Sequence, residues 1–144
     1  MYQDKFVFSQ LSSFLNRSKF NRLAAKYDGD KYVKHPTCWN QLLALMFGQL
    51  SNRESLRDLV VALEAHRSKC YHLGMGGKPI AKTTFATANQ NRDYRIFEEL
   101  AFYMMEQAQE KRAAPKNARP KHGKSVLLAN YWVVLLRKTV ALCG

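Results

Sequence analysis

Thr84, Thr87 and Asn91 follow one another at three- and four-residue spacing, so on a helix they share one face. Lys82, Thr83, Asn89, Gln90 and Arg92 stand beside them. These are side chains that read base edges: Asn and Gln can bond adenine through paired hydrogen bonds, Arg does the same for guanine, and a threonine methyl packs on thymine. Thr83 and the first amides of such a helix can grip a phosphate. Arg53 and Arg95 complete the set of candidate DNA-binding residues. The same pattern also suits a polar surface helix whose Thr and Asn residues only cap and solvate it. The formal net charge of +12 tips the balance toward a polyanionic partner.

These residues need a scaffold, and the periodicity supplies helices. Residues 5–15 place Phe6, Phe8, Leu11, Phe14 and Leu15 at helical spacing. A second helix, capped by Ser18, turns Phe20, Leu23, Ala24 and Tyr27 inward and Lys19, Arg22 and Lys26 outward, and Asp28-Gly29-Asp30 ends it. That basic stripe could touch phosphates, although such a stripe is more often only solvated. Thr37 caps a third helix over residues 39–50, apolar nearly all round and therefore the expected central helix. Ser51-Asn52-Arg53-Glu54 fits a capping box that opens a fourth helix, with Leu56, Leu59, Val60 and Leu63 inward. Gly74, Gly76, Gly77 and Pro79 mark a loop. A fifth helix over about residues 83–91 has Phe85 and Ala88 as its thin apolar side. Asp93 caps a sixth, with Ile96, Phe97, Leu100, Ala101 and Met104 in register.

The expectation is an all-α fold of about five or six helices. Its fourth and fifth helices would form a helix-turn-helix-like unit, one as support and one as reader. The segment joining them, residues 69–81, is much longer than the usual turn of about 3–4 residues. The domain division is 1–112 for the helical DNA-binding domain and 113–144 for a basic tail. That tail holds six of the 23 Lys and Arg residues and no Asp or Glu, hence half of the net charge. Pro115, Pro120 and the basic residues between 116 and 124 suggest a flexible arm. Residues 126–136 suit a strand or a helix equally.

Other chemistries fit less well. The first residues are too polar for a signal peptide, and the longest apolar run is too short for the roughly 20 residues that span a bilayer. The chain is thus expected to be cytoplasmic, without a membrane partner. Cys38, Cys70 and Cys143 are expected to be reduced thiols. His66, Cys70 and His72, with His35 and Cys38 upstream, do not have the spacing of a zinc framework, so neither a metal nor another cofactor is expected. Each of the eleven Asp and Glu residues has a ready role as cap, turn residue or exposed helix position. No P-loop, nucleophile elbow or Ser/His/Asp pattern stands out, and no enzyme is expected in this chain.

Longer phrases carry a resemblance. KFVFSQL, KYVKHPTCWNQLLALMFGQLSNRESLRDLV, YHLG and NQNRDYRIFEELA, in this order within residues 5–112, resemble the N-terminal domain of insertion-sequence transposases of the IS-four type. The resemblance implies a helical front domain that binds the terminal inverted repeats of a mobile element, ahead of a DDE catalytic domain with a ribonuclease-H-like fold. In that family a divalent metal belongs to the catalytic domain, whose first strand delivers an Asp. Beyond residue 112 this chain departs from the pattern and carries no acid, as a frameshifted or truncated element would.

The expected function is sequence-specific binding of double-stranded DNA, as the recognition part of a transposase lacking its catalytic core. A homodimer, or a heterodimer with a full-length transposase, is a further expected partner. Three rivals stand beside it: an oligomerisation module with the third helix or the Met104-Met105 region as interface, an active nuclease or transposase, and an inert fragment.

Overall fold

The computed structural model describes residues 7–113, and every described element is helical. The helices are α1 (Val7–Ser12), α2 (Arg17–Lys26), α3 (Cys38–Leu50), α4 (Leu56–Ala65), α5 (Arg67–His72), α6 (Lys82–Asn91) and α7 (Arg95–Ala113). The tail expected from residue 113 on, its basic arm, the apolar run 126–136 and Cys143 lie outside the described residues, apart from Ala113 at the end of α7.

The centre is α3. Its residues from Cys38 through Met46 are all buried, as expected of a helix apolar on every side. Thr37 caps it, accepting the Asn40 amide on its hydroxyl at 3.2 Å. Around α3 pack Phe20, Leu23 and Ala24 of α2, Leu59 and Leu63 of α4, and Ile96, Phe97 and Leu100 of α7. The Phe20 ring lies between those of Trp39 and Phe97, with centroids 5.6 and 6.1 Å away. Among the described residues no helix is long and apolar enough to cross a membrane.

Two helix starts differ from expectation. Asn16 rather than Ser18 caps α2, its side-chain oxygen accepting the Lys19 amide at 3.0 Å. Ser51 ends α3 instead of opening α4: its hydroxyl donates to the Phe47 carbonyl at 2.7 Å, and Asn52 turns the chain at φ 51°. The cap of α4 is Ser55, whose hydroxyl accepts the Asp58 amide at 3.1 Å and meets the Asp58 carboxylate at 2.8 Å. A Ser followed three residues later by an acid occurs twice in SNRESLRD, and the second copy is the one that starts the helix. The joining segment between α4 and α6 is also not a plain loop, because α5 occupies part of it.

The basic stripe of α2 is partly spent on α7. Lys26 pairs with Glu99 at 2.7 Å, Tyr27 donates its hydroxyl to the same carboxylate, and Lys19 lies over the Tyr103 ring. The hydrogen bond from Lys26, then that from Tyr27, holds the Glu99 carboxyl below its usual 4.5. A carboxylate depressed by folding contributes stability that is complete above its unfolded value and is lost as pH falls through the folded one. Wild-type protein is therefore expected to lose stability on acidification below about pH 4.5, and Glu99→Gln to lose less over the same range. Urea melts of the two proteins at neutral and acidic pH check this. The effect is small, since both partners are substantially exposed.

Candidate nucleic-acid interface

The side of the molecule that carries α6 is built on one buried ring. Phe85 is fully buried, and it is the buried side chain of α6. Opposite it, Lys82, Thr83, Thr84, Thr87, Gln90 and Asn91 are exposed. Helix α4 packs against α6, so the support-and-reader pair foreseen in the sequence is in contact, although not as a compact helix-turn-helix.

Thr83, Thr84, Thr87 and Asn91 line a cleft of about 380 Å³. Its far wall is the chain leading into α3, with Val33, His35 and Pro36. His35 lies 3.4 Å from the Asn40 amide through Nδ1, while its Nε2 is buried with no partner among the described residues. Both walls come from stretches without acids: there is none between Asp30 and Glu54, and none between Glu64 and Asp93. A cleft lined by polar side chains and by no Asp or Glu suits an anion or the edge of a nucleic acid.

Two of the candidate readers point inward instead. Arg92 is 8 % exposed. Its Nε donates to the Gly29 carbonyl at 3.1 Å and its Nη1 to Gln41 Oε1 at 2.8 Å. Its Nη2 donates to the Pro36 carbonyl and reaches Asp30 Oδ1 at 3.5 Å. The cause is the end of α6: Arg92 is its C-cap, with φ −82° and ψ 139°, and this extended residue turns its side chain away from the helical face. Asn89 accepts a hydrogen bond from the buried Gln41 at 2.5 Å. Arg92 and Asn89 thus position α6 against α3 and the preceding chain. Gly29 fits this crowded joint because it lacks a side chain: a Cβ there would lie 2.6 Å from Ile96 Cδ1 and 2.7 Å from Cys38 Sγ.

The remaining candidates lie outside the cleft. Arg95 is bound to Asp93, with Nη2 to Oδ2 at 2.6 Å, and rests over the Tyr27 ring. The hydrogen bonds from Arg95 hold the Asp93 carboxyl below its ordinary value. Arg53 is exposed at the α3–α4 connection. Cys38 and Cys70 are buried free thiols, and burial pushes Cys38 up to about 12, far from a reactive thiolate. Among the described residues no three His, Cys, Asp or Glu side chains gather as a metal site would require.

The sequence reading missed the chain between α2 and α3 as a cleft wall. Its signal was present in Lys31-Tyr32-Val33-Lys34, an aromatic between two lysines, but adjacency to α6 is a tertiary fact.

No curated protein and no solved structure matches this chain significantly. The family described as a domain of unknown function (DUF4372) matches residues 3–76, more than half of the chain, from the start of the described helices through α5. The α2–α3 wall of the cleft falls inside that match and α6 follows it, so the helical domain that carries the cleft is that of a member of the DUF4372 family.

Proposed function

We propose that this protein binds double-stranded DNA in a sequence-specific manner, as the recognition domain of an insertion-sequence transposase that docks on terminal inverted repeats. What supports this reading most is the exposed polar face of α6, which packs on α4, is anchored in the core by Phe85 and is edged by acid-free chain in a protein of net charge +12. Helix α6 enters a major groove with Thr84, Thr87 and Asn91 toward the bases, and Lys82, Thr83 and neighbouring lysines hold phosphates. The resemblance to IS-four-type transposases supplies the class of target. In this reading the chain contributes recognition and no chemical step, and it needs no cofactor.

Asn91→Ala and Thr84→Ala are each expected to weaken binding to the element's terminal repeat about tenfold. Their affinity for a random duplex should change far less. Fluorescence anisotropy on both duplexes at one salt concentration checks this. Equal losses on the two would remove α6 as the reader.

A protein-interaction role has one specific feature in its favour. Val60, Leu63, Met75 and Ile80 line a mostly apolar groove of about 350 Å³, and Val61 beside it is 65 % exposed. Of the interfaces expected for that role, α3 is buried from Cys38 through Met46, whereas in the Met104-Met105 region Met104 is buried, Met105 half-buried and nearby Phe102 exposed. A salt-insensitive dimer without DNA affinity would favour this second reading.

A further inference from the structure

The chain between α2 and α3 carries an unusual side chain. Tyr32 is 96 % exposed, more than any other described large apolar residue. Its φ is +59°, in the left-handed region that a bulky residue seldom adopts. Neither feature has a return inside the fold, where the ring's neighbour is the Lys31 ammonium, 5.9 Å from its centroid.

The backbone beneath the ring is braced. The Lys31 amide donates to the Asp28 carbonyl and the Val33 amide to the Asp30 carbonyl, each at 3.1 Å. Arg92 ties Gly29, Asp30 and the Pro36 carbonyl to the end of α6 from within. The ring is therefore presented by a held loop. Three residues further on, His35 and Pro36 meet Thr83, Thr84 and Asn91 across the cleft. Lys31 and Lys34 flank Tyr32 and are exposed. Lys31 also reaches Asp28 at 3.4 Å, while among the described residues no ion pair engages Lys34.

We infer that the α2–α3 loop is a second DNA-contacting element, in which Tyr32 lays its ring against a nucleotide bordering the groove that α6 enters and Lys31 and Lys34 engage the flanking phosphates. An aromatic between two cations, held open beside a polar helix, matches the chemistry of a nucleotide: a flat apolar base next to an anion. The inference rests on the DNA-binding reading of α6 and extends the interface to the far wall of the cleft. The strained φ follows from that duty, since it aims the ring outward.

The test is anisotropy with the full chain and a mixed-sequence duplex in dilute salt. Tyr32→Ala is expected to weaken binding about tenfold and Tyr32→Phe to stay close to wild type. Lys34→Ala should flatten the salt dependence by about one charge. Tyr32→Gly relieves the left-handed strain, so its melting temperature should rise or hold while its affinity falls, a pair of opposite effects that damage to the fold cannot produce. If Tyr32→Ala binds duplex as wild type does while the α6 variants lose sequence preference, the loop contact is overturned and the α6 reading stands. If wild-type protein has no measurable duplex affinity, both are overturned.

Discussion

Replacing Arg92 by alanine is expected to destabilise the protein by about 3 kcal/mol, enough to lower its melting temperature by more than ~10 °C. The guanidinium fills a buried joint among three segments. It satisfies the Gly29 and Pro36 carbonyls and Gln41, and its charge is balanced by Asp30. Alanine leaves those buried acceptors without their donor. The Asp30 carboxylate keeps one partner, the Cys38 amide at 2.6 Å. Unmet buried acceptors cost more than the bonds contributed, which is why the loss exceeds that of a surface arginine. Arg92→Lys keeps the charge but not the fork of donors, and should fall between. Thermal melts of the three proteins measure the effect. A second signature separates a clamp from a reader: Gln41→Ala should be strongly non-additive with Arg92→Ala, because both remove the same contact. If Arg92→Ala melts like wild type and loses only sequence preference on DNA, the residue reads bases and the clamp is wrong.

That residue also marks the limit of what the sequence can disclose. In the run Asn89-Gln90-Asn91-Arg92 every residue type can bond a base, and composition treats them alike. What sorts them is one backbone event, the end of α6 at Asn91, which turns Arg92 inward and buries it while Asn91 stays exposed. Helix ends are set by caps and tertiary contacts, and periodicity locates them only loosely. The same weakness moved the starts of α2 and α4 by a few residues. It also hid α5, whose six residues include a single buried one, Cys70. The core was legible for the opposite reason. Apolar residues recurring through α2, α3 and α7 are a signal summed over several turns, and Phe20, Leu42, Leu43, Met46, Ile96, Phe97 and Leu100 are all fully buried. Of the cleft, the α6 wall could be named from residue types. The wall at Val33, His35 and Pro36 could not, since fifty residues of intervening chain separate it from Thr84.

The two walls meet through polar atoms. Gln41 on the central helix bonds both Asn89 and Arg92, so the angle of α6 is set by directional bonds as well as by packing. Apolar contact tolerates sliding, whereas a buried amide with two fixed partners does not. Hydrogen-bonding groups on a helix can match a base edge only if the helix is held to a fraction of an ångström, and this network supplies that constraint.

Phe85→Ala follows from the same architecture and should be the most damaging single change on this side of the molecule. Phe85 is the fully buried side chain of α6, and truncating such a ring costs about 3–5 kcal/mol through lost burial and the cavity left behind. Little else apolar holds α6, for Ala86 and Ala88 are small and half-exposed. Phe85 is the one residue of α6 in the buried cluster to which α2, α3 and α7 each contribute several. The expected result is therefore uneven: amides of α6 lose hydrogen-exchange protection first, while those of α3 and α7 keep theirs at temperatures where the variant remains folded. Duplex affinity should fall with the protection of α6. Phe85→Leu retains most of the apolar volume and should lose far less of either. If α6 and α3 instead lose protection together, α6 belongs to one cooperative unit with the core. If affinity for DNA survives the loss of protection in α6, the contact with the duplex is made elsewhere on the protein.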